Sequence, residues 1–68
     1  MAKLVWFTYA KSINGERILV NAENITYIVP NGKLHDKYKS LIYFNGAEEN
    51  CIGVYGSIED IYKAIELA

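Results

Sequence analysis

The sequence predicts an α+β fold, mostly β: a five-stranded antiparallel sheet, bent or closed into a small partial barrel, with one C-terminal helix. Three observations predict it. Short runs rich in β-branched and aromatic residues fill most of the chain. Asn-Gly pairs at 14–15, 31–32 and 45–46 separate those runs, and Asn-Gly favours the positive φ angles of tight hairpin turns. Only the last stretch, from Ser57, repeats its apolar residues at helical spacing.

The first strand covers residues 3–13 and the second 16–21. A two-residue turn at Asn14-Gly15 pairs Tyr9 with Val20, Ala10 with Leu19 and Lys11 with Ile18. Alternation then puts Val5, Phe7, Tyr9, Ile18 and Val20 on one face. The other face carries Thr8, Ala10, Ser12, Arg17 and Asn21, and also Leu4, Trp6 and Leu19. Residues 21–24 read as a corner. Ile25–Val29 is the third strand, stopped by Pro30, and residues 31–38 form an exposed loop with Leu34 and Tyr38 as anchors. Lys39–Phe44 and Asn50–Tyr55 are the fourth and fifth strands. A loop longer than Asn45-Gly46 alone, running through Ala47-Glu48-Glu49, sets Ile42 opposite Ile52. Ser57 is a good N-cap, with Glu59 and Asp60 in the first helical turn, where carboxylates favour the exposed N–H groups. Ile58, Ile61, Tyr62 and Ile65 make the apolar stripe that closes the sheet. The elements follow one another as an antiparallel meander. The expected core is Val5, Phe7, Ile18, Val20, Ile28, Ile42, Ile52, Ile58, Ile61 and Ile65.

The totals allow a single domain, residues 1–68. A domain of this length buries only roughly 60% of its unfolded surface. Chains below about 70–80 residues usually need disulfides, a metal or self-association. Cys51 is the one cysteine, so a disulfide within the chain is excluded, and one His with one Cys falls short of a His/Cys metal site. Self-association is the remaining route, beside an apolar core drawn from the 51% hydrophobic residues. A lone cysteine, the lack of a signal-peptide pattern in residues 1–10, and the lack of any run of about 18 apolar residues lead to the expectation of a cytoplasmic protein without a membrane partner.

Net charge is −1, which argues against a dedicated nucleic-acid binder. The charge is uneven: up to residue 39 there are six Lys/Arg against three acids, and after it one Lys against five acids.

No nucleophile–base pair stands out. Cys51 reads as a small buried thiol and His35 as an exposed loop residue. Glu48-Glu49 are neighbours that solvate a turn. Gly53-Val54-Tyr55-Gly56 precedes a helix but lacks the Lys of a phosphate-binding loop. The expectation is a non-enzyme with no cofactor. Six Tyr, two Phe and one Trp exceed what so small a core can take. Tyr and Trp combine large apolar area with a polar tip, which suits surfaces that meet a partner. The candidate interface is Leu4, Trp6, Leu19, Tyr27 and Tyr43.

The run Asn14–Ile25 with Ile28, followed by Ser57-Ile58-Glu59-Asp60-Ile61 and Ile65, resembles the small FlbD-like flagellar proteins, the family that includes SwrD. A hairpin, an Asn-Ala-acidic corner, an Ile strand and a C-terminal helix follow there in the same order. The likeness covers roughly residues 13–67 and departs at the long first strand and the 31–38 segment. It implies a regulatory, non-enzymatic role and carries over no catalytic residue. Ile25-Thr26-Tyr27-Ile28, a later strand and the Ser57-Ile58…Ile61 helix also look like the LytTR DNA-binding domain, which reads DNA with loops. Lys33, His35, Lys37 and Lys39 would then be the nucleic-acid contacts, although the chain is shorter than that domain and lacks its basic excess. Small phage or mobile-element inhibitors share the same profile of small size, aromatic content and few motifs. The leading expectation is a non-catalytic regulatory module, homo-oligomeric and bound to another protein. A DNA-binding module and an inhibitor protein are its alternatives.

Overall fold

The computed structural model describes residues 3–11, 14–46 and 49–68. Strands β1 (Leu4–Thr8) and β2 (Arg17–Asn21) pair antiparallel, and a short 3-10 turn over Ala22–Asn24 leads to β3 (Ile25–Leu34). Strand β4 (Lys37–Phe44) pairs with β3 on one side and with β5 (Cys51–Tyr55) on the other, and helix α1 (Ile58–Leu67) ends the chain. The expected five strands and C-terminal helix are present, but not as one meander. The strands form a two-stranded and a three-stranded sheet, and β2 does not pair with β3.

The two sheets are joined where β1 ends. The Tyr9 N–H still donates to the Glu16 carbonyl at 2.8 Å, but the Ala10 N–H turns to the Gly53 carbonyl of β5 at 3.0 Å. Tyr9 bridges Val54. This crossing corrects the expected register of the first hairpin. Val5 lies opposite Val20 and Phe7 opposite Ile18, four residues away from the register of a tight Asn14-Gly15 turn. A shift of four preserves which residues share a face. The shift also frees Ala10 to be buried beside Gly53 and Leu41. Ser12, Ile13, Ala47 and Glu48 lie outside the described residues.

The second hairpin differs as well. Pro30 does not stop β3, because β3 is an edge strand and a missing N–H is tolerated there. Residues 31–38 are not a loop but the end of a hairpin whose two-residue tip is His35-Asp36. Their φ angles, 53° and 63°, are the positive values a type I′ turn requires at both central positions. Asn31-Gly32 instead falls at a bulge, where the register slips between Pro30 and Lys33. Asn45-Gly46 does lie at a turn, within a longer β4–β5 connection, and Ile42 faces Ile52 as expected.

One core is built from both sheets and the helix. Val5, Phe7 and Val20 of the first hairpin meet Ile42, Val54 and Ile61, with Ile18, Ile28, Ile52 and Ile65 packed around them and half-buried. Helix α1 begins at the expected place. The Ser57 hydroxyl accepts the Asp60 N–H at 3.1 Å, and the Asp60 carboxylate accepts the Ser57 N–H at 3.2 Å, closing a capping box. Its buried stripe is turned from the expected one. Ile61 is buried and Ala64 and Ile65 half-buried, whereas Tyr62 is exposed. Ile58 is exposed too: it precedes Ile61 by one turn, at the rim beside Pro30 and Tyr38, where no layer closes over it. Ser40 is fully buried, and its hydroxyl donates to the Gly56 carbonyl at 2.8 Å. That bond and the Gly56 N–H to the Tyr38 carbonyl fix the turn into α1. Gly56 has φ +129°, which favours glycine.

Candidate interaction surfaces

The five residues named as an interface form two patches on different sheets. On β1 and β2 the face turned away from the core carries Leu4, Trp6 and Leu19, exposed by 52%, 54% and 44%. Trp6 and Leu19 are direct cross-strand partners, and Leu4 is two residues along the same strand. Directly opposed side chains on one face of an antiparallel pair lie in contact range, so the three make one apolar surface. The Arg17 guanidinium lies 5.0 Å from the Trp6 ring centroid. The signal for this cation–π contact in the sequence is that alternation places Arg17 and Trp6 on the same face.

On the three-stranded sheet, Tyr27 and Tyr43 are paired across β3 and β4 and stack at 4.5 Å with an interplanar angle of 11°. Their register with Cys51 places a half-buried thiol on the same face. This is the outer face of the second sheet, since the alternate residues Ile42 and Ile52 enter the core.

The basic residues divide too. Lys11, His35 and Lys39 line a groove of about 490 Å³ on the outer face, with Ala10, Leu41 and Tyr55 in its wall. Lys37 has the same register parity as Lys39, and its ammonium lies 5.5 Å from the Tyr55 ring centroid. Lys33 pairs with Tyr38 on the opposite face, its ammonium 4.6 Å from that ring. The bulge at Asn31-Gly32 sets this separation, because an extra residue changes which side chains share a face. Lys11 enters the group through the Ala10 crossing, which no local pattern announces.

Among the described residues, no three or more His, Cys, Asp or Glu side chains group so as to hold a metal ion. No helix among them is long and apolar enough to cross a membrane. No buried side-chain nitrogen or oxygen among them lacks a hydrogen-bond partner. What these surfaces offer chemically is apolar contact on the first hairpin, and weak cationic and aromatic contact on the second. Comparison with protein-family models, with curated proteins and with solved structures gives no match.

Proposed function

We propose that this chain is a small, non-catalytic interaction module that self-associates through the Leu4–Trp6–Leu19 face. The observation that carries the reading is that face itself: three large apolar side chains, each about half exposed, contiguous on a hairpin of two five-residue strands. Monomers seldom keep such a surface without a use. A two-fold assembly covers it with the same surface of a second copy. The short chain, with a single cysteine, has little other reinforcement to draw on. The resemblance to FlbD-like proteins agrees with a regulatory role exerted by protein contact. Sedimentation velocity at micromolar concentration should report at least a dimer. Trp6→Glu should return a monomer that keeps its circular dichroism. A wild-type monomer would defeat self-association and leave the face to a different protein partner.

The second reading is a nucleic-acid contact of the LytTR kind, favoured by one observation: Lys11, Lys37 and Lys39, with His35, share the outer face of the second sheet. It ranks below the first because Lys33 is turned away and the net charge is −1.

A further inference from the structure

The groove of about 490 Å³ on the outer face of the second sheet has a floor that phosphate contacts leave unused. The floor and wall are apolar and largely covered: Ala10 is buried, and Leu41, Gly53 and Tyr55 are half-buried. The rim is cationic. Lys11, Lys39 and His35 stand on it, and among the described residues no Asp or Glu lines it. Lys37 lies beside it, its ammonium 5.5 Å from the Tyr55 ring centroid. In a chain of net charge −1 this is a local excess of one sign over an apolar bed.

Gly53 is the feature that points to a ligand. It sits in the middle of β5, and Tyr55, Gly53 and Cys51 pair with Lys39, Leu41 and Tyr43 without a bulge. Glycine weakens a strand interior, and where no bulge or bend calls for it, it marks a close approach by another backbone or a ligand. The Ala10 backbone approaches its edge, through the 3.0 Å bond to the Gly53 carbonyl. Its face is open. A Cβ at this position would lie 3.7 Å from Leu41 Cδ2 and 3.9 Å from Ala10 Cβ, which is ordinary van der Waals contact. Neither neighbour forbids a side chain there. Both line the groove, so a side chain at 53 would fill it.

We propose that this groove binds a small aromatic carboxylate. The flat body lies on the bare backbone of Gly53, against Leu41 and Tyr55. The carboxylate meets Lys11 and Lys39 at the rim, with His35 as a further N–H donor. Size and lining agree, since small-molecule sites span roughly 300–1,000 Å³ and are mostly apolar, with a few polar groups that fix orientation. A duplex would use the lysines alone, because phosphate contacts gain nothing from an apolar floor. The site belongs to the second sheet and does not depend on self-association through the first hairpin.

Amide chemical-shift titration of the full chain with naphthoate tests this, with neutral naphthamide and inorganic phosphate as comparisons. Naphthoate should move the amides of Ala10, Leu41, Gly53 and Tyr55 with a Kd of about 1 mM or tighter, which ordinary ligand efficiency gives a molecule of about a dozen heavy atoms. Naphthamide lacks the charge and phosphate lacks the body, so each should bind about 5-fold or more weakly. Gly53→Val suits a strand and meets no clash, so the fold should persist while naphthoate affinity falls about 10-fold or more. Replacing Lys11 and Lys39 together by Gln should weaken naphthoate and leave naphthamide unchanged, and Lys33→Gln, on the opposite face, should change neither. Trp6→Glu should leave naphthoate binding intact, which separates this site from the self-association face. No shifts at 10-fold above the expected Kd, about 10 mM, would overturn the proposal. So would shifts centred on Leu4, Trp6 and Leu19, equal affinity for naphthamide, or a folded Gly53→Val chain that binds as before.

Discussion

The two hairpins of this molecule are built by the same rules and present opposite surfaces. The first, β1–β2, turns Leu4, Trp6 and Leu19 outward and ends in a clean edge. The second, β3–β4, turns Tyr27, Tyr43, Lys37 and Lys39 outward and ends in an edge broken by Pro30 and two bulges. Both send their alternate residues into the same core. The inward pattern is fixed by burial, whereas the outward pattern is free to differ. The difference is therefore where function should be sought. An apolar face beside an open edge is built for contact, and an edge guarded by proline, lysine and bulges is built to stay unpaired.

The comparison assumes that the hairpins are two sides of one cooperative unit, and the largest expected effect tests it. Ile61 is 2% exposed and packs among residues of both sheets. Ile61→Ala should cost about 2–5 kcal/mol through lost transfer energy and the cavity left behind. In a domain of this size that lowers Tm by roughly 10 °C or more. Trp6 fluorescence, which reports the first hairpin, and far-UV circular dichroism, which reports the whole, should fall together. Separate transitions would show two units, and a shift of a degree or two would show that Ile61 is not core.

Ser40→Ala comes next; Ser40 lies on β4 of the second hairpin and its hydrogen bond holds the turn into α1. The substitution leaves the part-buried Gly56 carbonyl without the 2.8 Å hydrogen bond from the buried serine hydroxyl. An unsatisfied buried acceptor costs about 1–3 kcal/mol. Thermal melts should drop by several degrees with oligomeric state unchanged. A loss of self-association in this variant would mean the contact surface extends to the helix start.

Trp6→Glu should do the reverse, with less than about 1 kcal/mol lost from the monomer. The side chain is half exposed, so only its edge packing and the Arg17 contact at 5.0 Å are removed. Urea titration at a concentration low enough to keep the wild-type chain monomeric checks this. A large loss would make Trp6 a structural residue of the hairpin and weaken its reading as an interface.

These contrasts were partly legible in the sequence. Which residues of β1 and β2 share a face follows from alternation alone, and so does the Leu4–Trp6–Leu19 side. The capped start of α1 was legible because a Ser followed by acidic residues acts within one turn of chain. The Ile42–Ile52 register was legible because one choice aligned apolar partners. What was not legible depends on distant chain. Tyr9 and Ala10 leave β2 for β5, and nothing local to residue 9 signals the arrival of Gly53. The His35-Asp36 tip was hidden by a stronger local signal, Asn31-Gly32, and by Pro30, which an edge strand accepts. Local pattern therefore groups the basic residues as one loop, whereas a bulge sends Lys33 to one face and Lys39 to the other.

That regrouping defines the smallest expected effect. Lys11, Lys37 and Lys39 are the lysines that share the outer face, so about three phosphate contacts are the most this face offers a duplex. Three such contacts give a salt slope near −2.7, and affinity then falls roughly 10³-fold between about 10 mM and 150 mM salt. Net charge −1 adds no long-range attraction to offset that loss. No binding of duplex DNA should be measurable at 150 mM salt, and weak binding at 10 mM should vanish as salt rises. Fluorescence anisotropy with a labelled duplex reads both. Lys33→Ala removes the same charge from the opposite face and serves as the control. Tight binding at 150 mM that weakens when Lys11, Lys37 and Lys39 become Ala, and not when Lys33 does, would invert the comparison. The second hairpin would then carry the function, and the apolar face of the first would serve only to hold two DNA-binding copies together.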